Sequence, residues 1–161
     1  MSSKIPVVRS FSGVANLIGV LGVIGSLIFV GLELRQSQRI AQAQQQQERI
    51  AVFLNLIGSN NEAGVDWQST VYEADSEASE QLSHAEVVRR NNYHAHLFNY
   101  ENDYFQFSQG LMPIEVWEAK KEALSFFYNQ CRNREILNIR KAFFPDGLVK
   151  VIDSLQDNCA E

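Results

Sequence analysis

The chain has 161 residues, 45% hydrophobic and 11% aromatic, which suits one packed domain and is too apolar for wholesale disorder. Its net charge of −5 is unevenly placed: through residue 57 five basic residues stand against two acids, and beyond it nine stand against seventeen. So acidic a C-terminal part excludes a phosphate-binding, nucleic-acid function, which needs concentrated Lys and Arg.

Residues 1–10 form a basic tail carrying Lys4 and Arg9. Residues 11–32 read FSGVANLIGVLGVIGSLIFVGL, without one ionisable side chain. At about 1.5 Å per residue this run covers about 33 Å as a helix, enough to cross a hydrocarbon core about 30 Å thick. The sequence therefore predicts a retained transmembrane anchor. A cleaved signal peptide fits less well, because its apolar core is usually about 7 to 15 residues and ends in a small-x-small site. Here Glu33-Leu34-Arg35-Gln36 follows instead. A helix buried in a soluble domain is the remaining alternative. Lys4 and Arg9 against Arg35, Arg39 and the more distant Arg49 leave the positive-inside count nearly balanced. Cys131 and Cys159 are too few for a disulfide scaffold and are compatible with free thiols or with one bridge. Since nothing in them demands an oxidising compartment, the sequence leans toward a cytoplasmic C-terminal domain.

Residues 33–57 contain no Pro or Gly and are rich in helix formers, so the membrane helix is expected to continue as a juxtamembrane extension. Gly58-Ser59-Asn60-Asn61 is the expected stop, giving one helix of about 45 residues. Steps of three and four along it pick out Ser12, Ala15, Gly19, Gly22 and Ser26, a stripe of small residues suited to close helix approach within lipid. The same register continues through Phe29, Glu33 and Gln36 to Ile40, Ala43, Gln47, Ile50, Leu54 and Ile57, as a water-exposed seam would. The stripe and seam are read as a packing face for copies of this chain or for another membrane subunit. Gln42 and Gln44 to Gln47 read as a polar helix face just outside the membrane.

Residues 58–161 are expected to form one acidic helical domain. Val65, Trp67, Val71 and Tyr72 suggest a short helix, and Glu73 to Gln81 an exposed connection. The seven acids between Glu62 and Glu86 lack the ligand order and central Gly of a calcium loop. Ser83-His84-Ala85-Glu86 fits a capping box opening a helix to about Gln109, with Gly110 ending it. Met112-Pro113 starts a helix with Ile114, Trp117, Leu124 and Phe127 on one face; others follow at about Arg132 to Phe144 and, after Pro145-Asp146-Gly147, at Leu148 to Leu155. No alternating strand pattern competes, and the expected class is all-α: a long N-terminal transmembrane helix followed by a small helical bundle.

Chemistry is thin. Along NNYHAHLFNYENDYFQF (91–107), His94 and Glu101 share one helix face and His96 and Asp103 another. Two ligands per face fall short of the three or four that a metal needs, and no His-Glu-x-x-His or Glu-x-x-His pattern adds more. Tyr93, Leu97, Tyr100 and Tyr104 read as aromatic core packing. Cys131, followed by Arg132 and Arg134, is a thiol near positive charge with no surrounding catalytic motif. The glycines at 19, 22 and 25 lie inside the apolar run and make no phosphate loop. No catalytic, cofactor or metal residues are assigned.

Ile18 to Gln36 (IGVLGVIGSLIFVGLELRQ), then Tyr100-Glu101-Asn102 with Tyr104 and Gln106, Gly110-Leu111, and Trp117 in the next helix, occur in an order and spacing that cover most of the chain. In this the chain resembles a broad set of bacterial single-pass proteins that pair an N-terminal membrane helix, running into an Arg-Gln juxtamembrane segment, with a helical domain. The acidic stretch from Glu73 to Glu80 and the basic tail depart from that pattern. The resemblance implies the architecture and a bacterial origin, and carries over no activity; the expected location is the bacterial inner membrane. Sequence alone thus favours a non-enzymatic membrane protein acting in assembly, as a homo-oligomer or accessory subunit. The alternatives are a membrane-tethered ligand or signal receptor using the aromatic, His-rich helix, and a metal-dependent enzyme built on His94, His96, Glu101 or Asp103.

Overall fold

The computed structural model describes residues 8–73 and 82–159, with side chains from residue 13. Every regular element among them is helical: α1 (Val8–Ala63), α2 (Trp67–Val71), α3 (His84–Ser108), α4 (Ile114–Tyr128), a 3-10 turn (Cys131–Asn133), α5 (Arg134–Lys141) and α6 (Asp146–Asp153). The all-α architecture is as the sequence predicts: one long apolar N-terminal helix, then a small helical bundle. The first seven residues of the expected basic tail and the acidic connection over residues 74–81 lie outside the described residues.

The chain divides into two compact units, Met1–Ala41 and Gln42–Glu161. The folded domain therefore starts well before the expected residue 58, and its origin is the seam on α1. Ala43, Ile50 and Ile57, seven residues apart, are buried. Ile50 and Ile57 join Trp67 of α2 and Phe98 of α3 in one apolar cluster, with Phe53 and Leu54 packed against it. Phe53 stacks on Phe98 at 4.6 Å, and Trp67 meets both rings edge-on at 6.3 Å. The period of the juxtamembrane seam alone suggests a face for another chain. Over 43–57 the domain's own helices occupy it.

Nor does α1 stop at Gly58. It runs on to Ala63, where Val65 N–H bonds to Asn60 C=O and Gly64 N–H to Asn61 C=O, with Gly64 at φ 69°. That is a Schellman end, and it needs the left-handed conformation glycine adopts freely. A single interior glycine costs a helix only about 1 kcal/mol, too little for Gly58 to stop one whose next turn is fastened from outside. Asn61 supplies that fastening through Asn91 and Asn92.

α3 follows its signals closely. Ser83 Oγ accepts from Glu86 N–H at its start, and Gly110 (φ 71°) closes its end in a second Schellman motif, with Leu111 N–H on Gln106 C=O. Glu86, however, does not reach back to complete the box; Arg89 and Arg132 hold it. On its other side α3 contributes Tyr93, Leu97 and Tyr100 to a second apolar cluster, with Leu124 of α4, Ile136 and Leu137 of α5, Phe144, and Leu148 and Ile152 of α6. Trp117 of α4 stacks on Phe107 at 4.9 Å, whereas Ile114, expected on the same inner face, is half exposed. α5 is shorter than expected because Cys131–Asn133 form a 3-10 turn. α6 begins earlier, at Asp146, since Pro145 already holds the backbone that precedes a first turn.

Gly147, in that first turn, leaves no room for a side chain. A methyl there overlaps the Tyr104 hydroxyl and lies 2.7 Å from Tyr104 Cζ. Gly147→Ala is expected to destabilise the domain by about 1–3 kcal/mol, the clash outweighing the gain in helix propensity. Near-UV circular dichroism of the full chain in detergent should show a melting point several degrees lower; an unchanged one would mean that Tyr104 moves aside freely.

Candidate functional site

Two regions concern function: the apolar part of α1 and a polar cluster where α2 and α5 meet α3. The helix from Gly13 has an apolar window of mean hydropathy 2.3, none of it buried. By length and composition it is able to cross a membrane. Ala15, Gly19, Gly22 and Ser26 are all exposed on it, and a Cβ added at Gly19 or Gly22 meets nothing within 4 Å. Ser12 belongs to α1, but its side chain lies outside those described. Ser26 Oγ donates to Gly22 C=O at 2.8 Å, so its hydroxyl is satisfied within the helix. A shallow groove centres on Gly19, walled by Ala15, Asn16, Val20, Val23 and Ile24. These residues form two rows four apart, so the groove leaves the expected seam after Gly19 and passes Val23 instead of Gly22. Asn16, which the spacing argument passed over, is the amide on this wall, and an amide in hydrocarbon seeks a partner across a helix pair.

In the domain, the polar cluster grows from Asn91. Its Oδ1 accepts Trp67 N–H at 2.8 Å, and its Nδ2 donates to Asn61 Oδ1 at 2.9 Å and to Val65 C=O at 2.8 Å. One fully buried side chain thus joins the end of α1, the connection and α2 to α3. Beside it Arg90 pairs with Asp66 (2.9 Å) and Glu73 (3.3 Å), while Asp66 caps α2 by accepting Ser69 N–H. Gln68, also fully buried, donates from Nε2 to Glu73 and contacts His94 Nε2 at 2.9 Å through Oε1. Because that Oε1 accepts, His94 carries its proton on Nε2, leaving Nδ1 a buried lone pair without a partner. Tyr72 stacks on the imidazole at 5.6 Å. Arg140 closes the far side, donating to Tyr72 Oη (2.9 Å) and Glu101 (3.2 Å) while lying over the Phe98 ring at 4.1 Å.

The electrostatics follow from burial. His94 is pushed down to about 3, first by burial and then by the positive charge of Arg140. Glu101 is raised by burial, against the pull of Arg140. His96, on the exposed side of α3, lies against Phe127 at 4.4 Å and is lowered by partial burial. Asp103 pairs with Lys120 at 3.0 Å. The four residues weighed as metal ligands are thus taken up separately by Gln68, Arg140, Phe127 and Lys120. Among the described residues no group of three or more such ligands converges.

Of the two states open to the cysteines, the structure takes the bridge: Cys131 and Cys159 are bonded. Around it the C-terminal tail is tied to the end of α4. Asn129 donates to Gln156 C=O and accepts from Asn158 N–H, and Arg134 grips Asp157 through both oxygens. That grip and the Cys159 N–H hold the exposed Asp157 carboxyl down to about 2. Cys131 is therefore no free nucleophile.

No known protein family, curated protein or solved structure matches the chain. His94 and Glu101 stand out in the sequence, whereas Gln68, Asn91 and Arg140, the partners that define their surroundings, do not.

Since the unfolded chain binds a proton on His94 near the ordinary 6.5 and the folded chain refuses it until about 3, stability is full above that range and falls as pH drops through it. One such group gives a slope of up to about 1.4 kcal/mol per pH unit. Glu101 acts in the opposite sense. Melting followed by near-UV circular dichroism from neutral pH downward is expected to show this loss, and His94→Gln to flatten it. Equal pH slopes in the two proteins would assign the loss elsewhere.

Proposed function

We propose that this chain is a non-enzymatic single-pass protein of a bacterial inner membrane that acts in assembly, as a homo-oligomer or as an accessory subunit of a larger membrane complex. The observation that carries the reading is the apolar window of α1, uncovered along its whole length and indented at Gly19. A groove bounded by rows four apart suits a second helix crossing with its own four-residue ridge, the geometry that small residues permit in lipid. Asn16 adds a polar contact for such a partner. The bacterial location rests on the resemblance of the apolar run and its Arg-Gln sequel to single-pass bacterial proteins.

The bridge supports placing the C-terminal domain on the oxidising face of that membrane, because disulfides persist there and are rare in reducing compartments. The sequence alone leans the other way, toward the cytoplasm, on the ground that two cysteines demand no oxidising compartment.

A Cβ added at Gly19 or Gly22 meets nothing within 4 Å, so the Gly19→Leu/Gly22→Leu double variant is aimed at what lies outside this helix. In mild detergent, Gly19→Leu/Gly22→Leu is expected to lose the higher-mass species or the co-purifying subunits of the parent while keeping its near-UV spectrum. Association unchanged in strength and stoichiometry would overturn the reading.

A receptor reading has one observation in its favour. Tyr93 and Tyr100 are packed into the core, which counts against it, but Tyr93 also lines a small cleft.

A further inference from the structure

α3 runs antiparallel to the part of α1 that belongs to the domain. Asn61 meets Asn91 and Asn92, Phe53 stacks on Phe98, and Ala43 C=O accepts from Gln106 Nε2 at 3.2 Å. Each step forward along α3 is thus a step back along α1. α3 therefore ends, at Ser108, about level with residue 42, where the chain enters the domain. The turn between α3 and α4, residues 109–113, lies at this entry end.

The turn is apolar on its outer side. In a Schellman motif the residue after the glycine usually packs on an apolar side chain in the last turn of the helix. Here Gln106 holds that place with its amide turned to Ala43, and Leu111 is left 37% exposed. Ile114 (52%) and Val116 (44%), in the first turn of α4, are uncovered as well. Trp117 beside them is buried and stacked on Phe107, which gives the turn a firm backing. Three large apolar side chains thus stand exposed within six positions at one end of the bundle, and grouped exposure of this kind marks a contact with protein or lipid.

The chain itself favours lipid. The apolar run ends at Leu32, and the nine residues 33–41 that separate it from the domain span about 14 Å as the helix they form. A bilayer crossed by that run is held within this reach of the entry end, and its headgroup layer fills about 5–7 Å of the distance. Residues 106–119 contain two acids, Glu115 and Glu118, and no Lys or Arg, so attraction to anionic headgroups has no part in the contact.

We infer that the α3–α4 turn is a second membrane contact, in which Leu111, Ile114 and Val116 enter the interfacial layer of the bilayer that α1 crosses. The contact is apolar and shallow, as for other interfacial segments. It rests on the membrane reading of α1, and it adds that the domain is docked on the lipid by its entry end.

The experiment attaches a nitroxide spin label to Ile114→Cys in the full chain, reconstituted in phosphatidylcholine vesicles. It reads the collision rates of the label with oxygen, which gathers in lipid, and with a nickel chelate, which stays in water. Val23→Cys in the apolar run and Asn99→Cys on the exposed face of α3 are the references, and the bonded native cysteines take no label. The oxygen-to-nickel ratio at Ile114→Cys is expected to lie several-fold above that of Asn99→Cys and below that of Val23→Cys. Leu111→Ser with Val116→Ser, at exposed positions safe for folding, should lower it toward the Asn99→Cys value. An aqueous ratio at Ile114→Cys with Val23→Cys deep in lipid would overturn the contact and leave the span standing, whereas an aqueous Val23→Cys would overturn both. Shielding of Ile114→Cys from both reagents would mean that protein covers the turn, and that result, or a ratio unmoved by the two serines, would also overturn the proposal.

Discussion

Between Val14 and Leu34 the chain carries thirteen large apolar side chains, each roughly half exposed or more, which none of the described residues covers. Fully burying an exposed side chain of this size is worth about 1.5–3 kcal/mol, so covering the exposed half or more of all thirteen amounts to roughly 10–20 kcal/mol. That is as large as the whole stability of an ordinary domain, about 5–15 kcal/mol. In the function proposed above, lipid, another apolar helix, or both absorb that surplus. The groove at Gly19, the inward-bonded Ser26 hydroxyl and the amide of Asn16 suit that environment.

The second organising element is α3, which is apolar on two sides and polar between them. One side meets α1 and α2 through Phe98; the other meets α4, α5 and α6 through Tyr93, Leu97 and Tyr100. Between them Asn91 and His94, with Gln68 and Arg140 facing in from α2 and α5, lie buried with partners. Such a network is demanding, because removing one member strands the others out of water. It also gives direction to an otherwise featureless join: α2, a helix of five residues, is held in register by Asn91 on Trp67 N–H and by its own Asp66 cap. α3 presents Asn92 and His96 outward, so the cleft they line is positioned by the core beneath it.

Local signals were legible where local physics decides the outcome. Ser83 and Gly110 bound α3 because a cap and a left-handed turn act within a few residues. The period of seven through Ala43, Ile50 and Ile57 showed which face of α1 is apolar, but not that Phe98 and Trp67 of the same chain would cover it; periodicity marks a face and is silent on its occupant. Gly58 misled because Asn61, anchored by Asn91 and Asn92 from thirty residues away, carries the helix past it. Gln68, Asn91 and Arg140 were illegible as core residues for a similar reason: polar side chains default to the surface, and only their distant partners permit burial. The cysteine pairing depended on the tail returning to the end of α4, which Asn129 and Arg134 arrange.

The most direct measurement is side-specific labelling of single added cysteines, at Val23 in the apolar window and at Asn99 on the exposed face of α3, with a membrane-impermeant maleimide in sealed spheroplasts. The native cysteines, being bonded, stay silent. Asn99→Cys is expected to react readily from the outside and Val23→Cys to remain unlabelled, as lipid burial of α1 and an oxidising location of the domain require. Rapid labelling of Val23→Cys, or labelling of Asn99→Cys only after the membrane is opened, would contradict that placement.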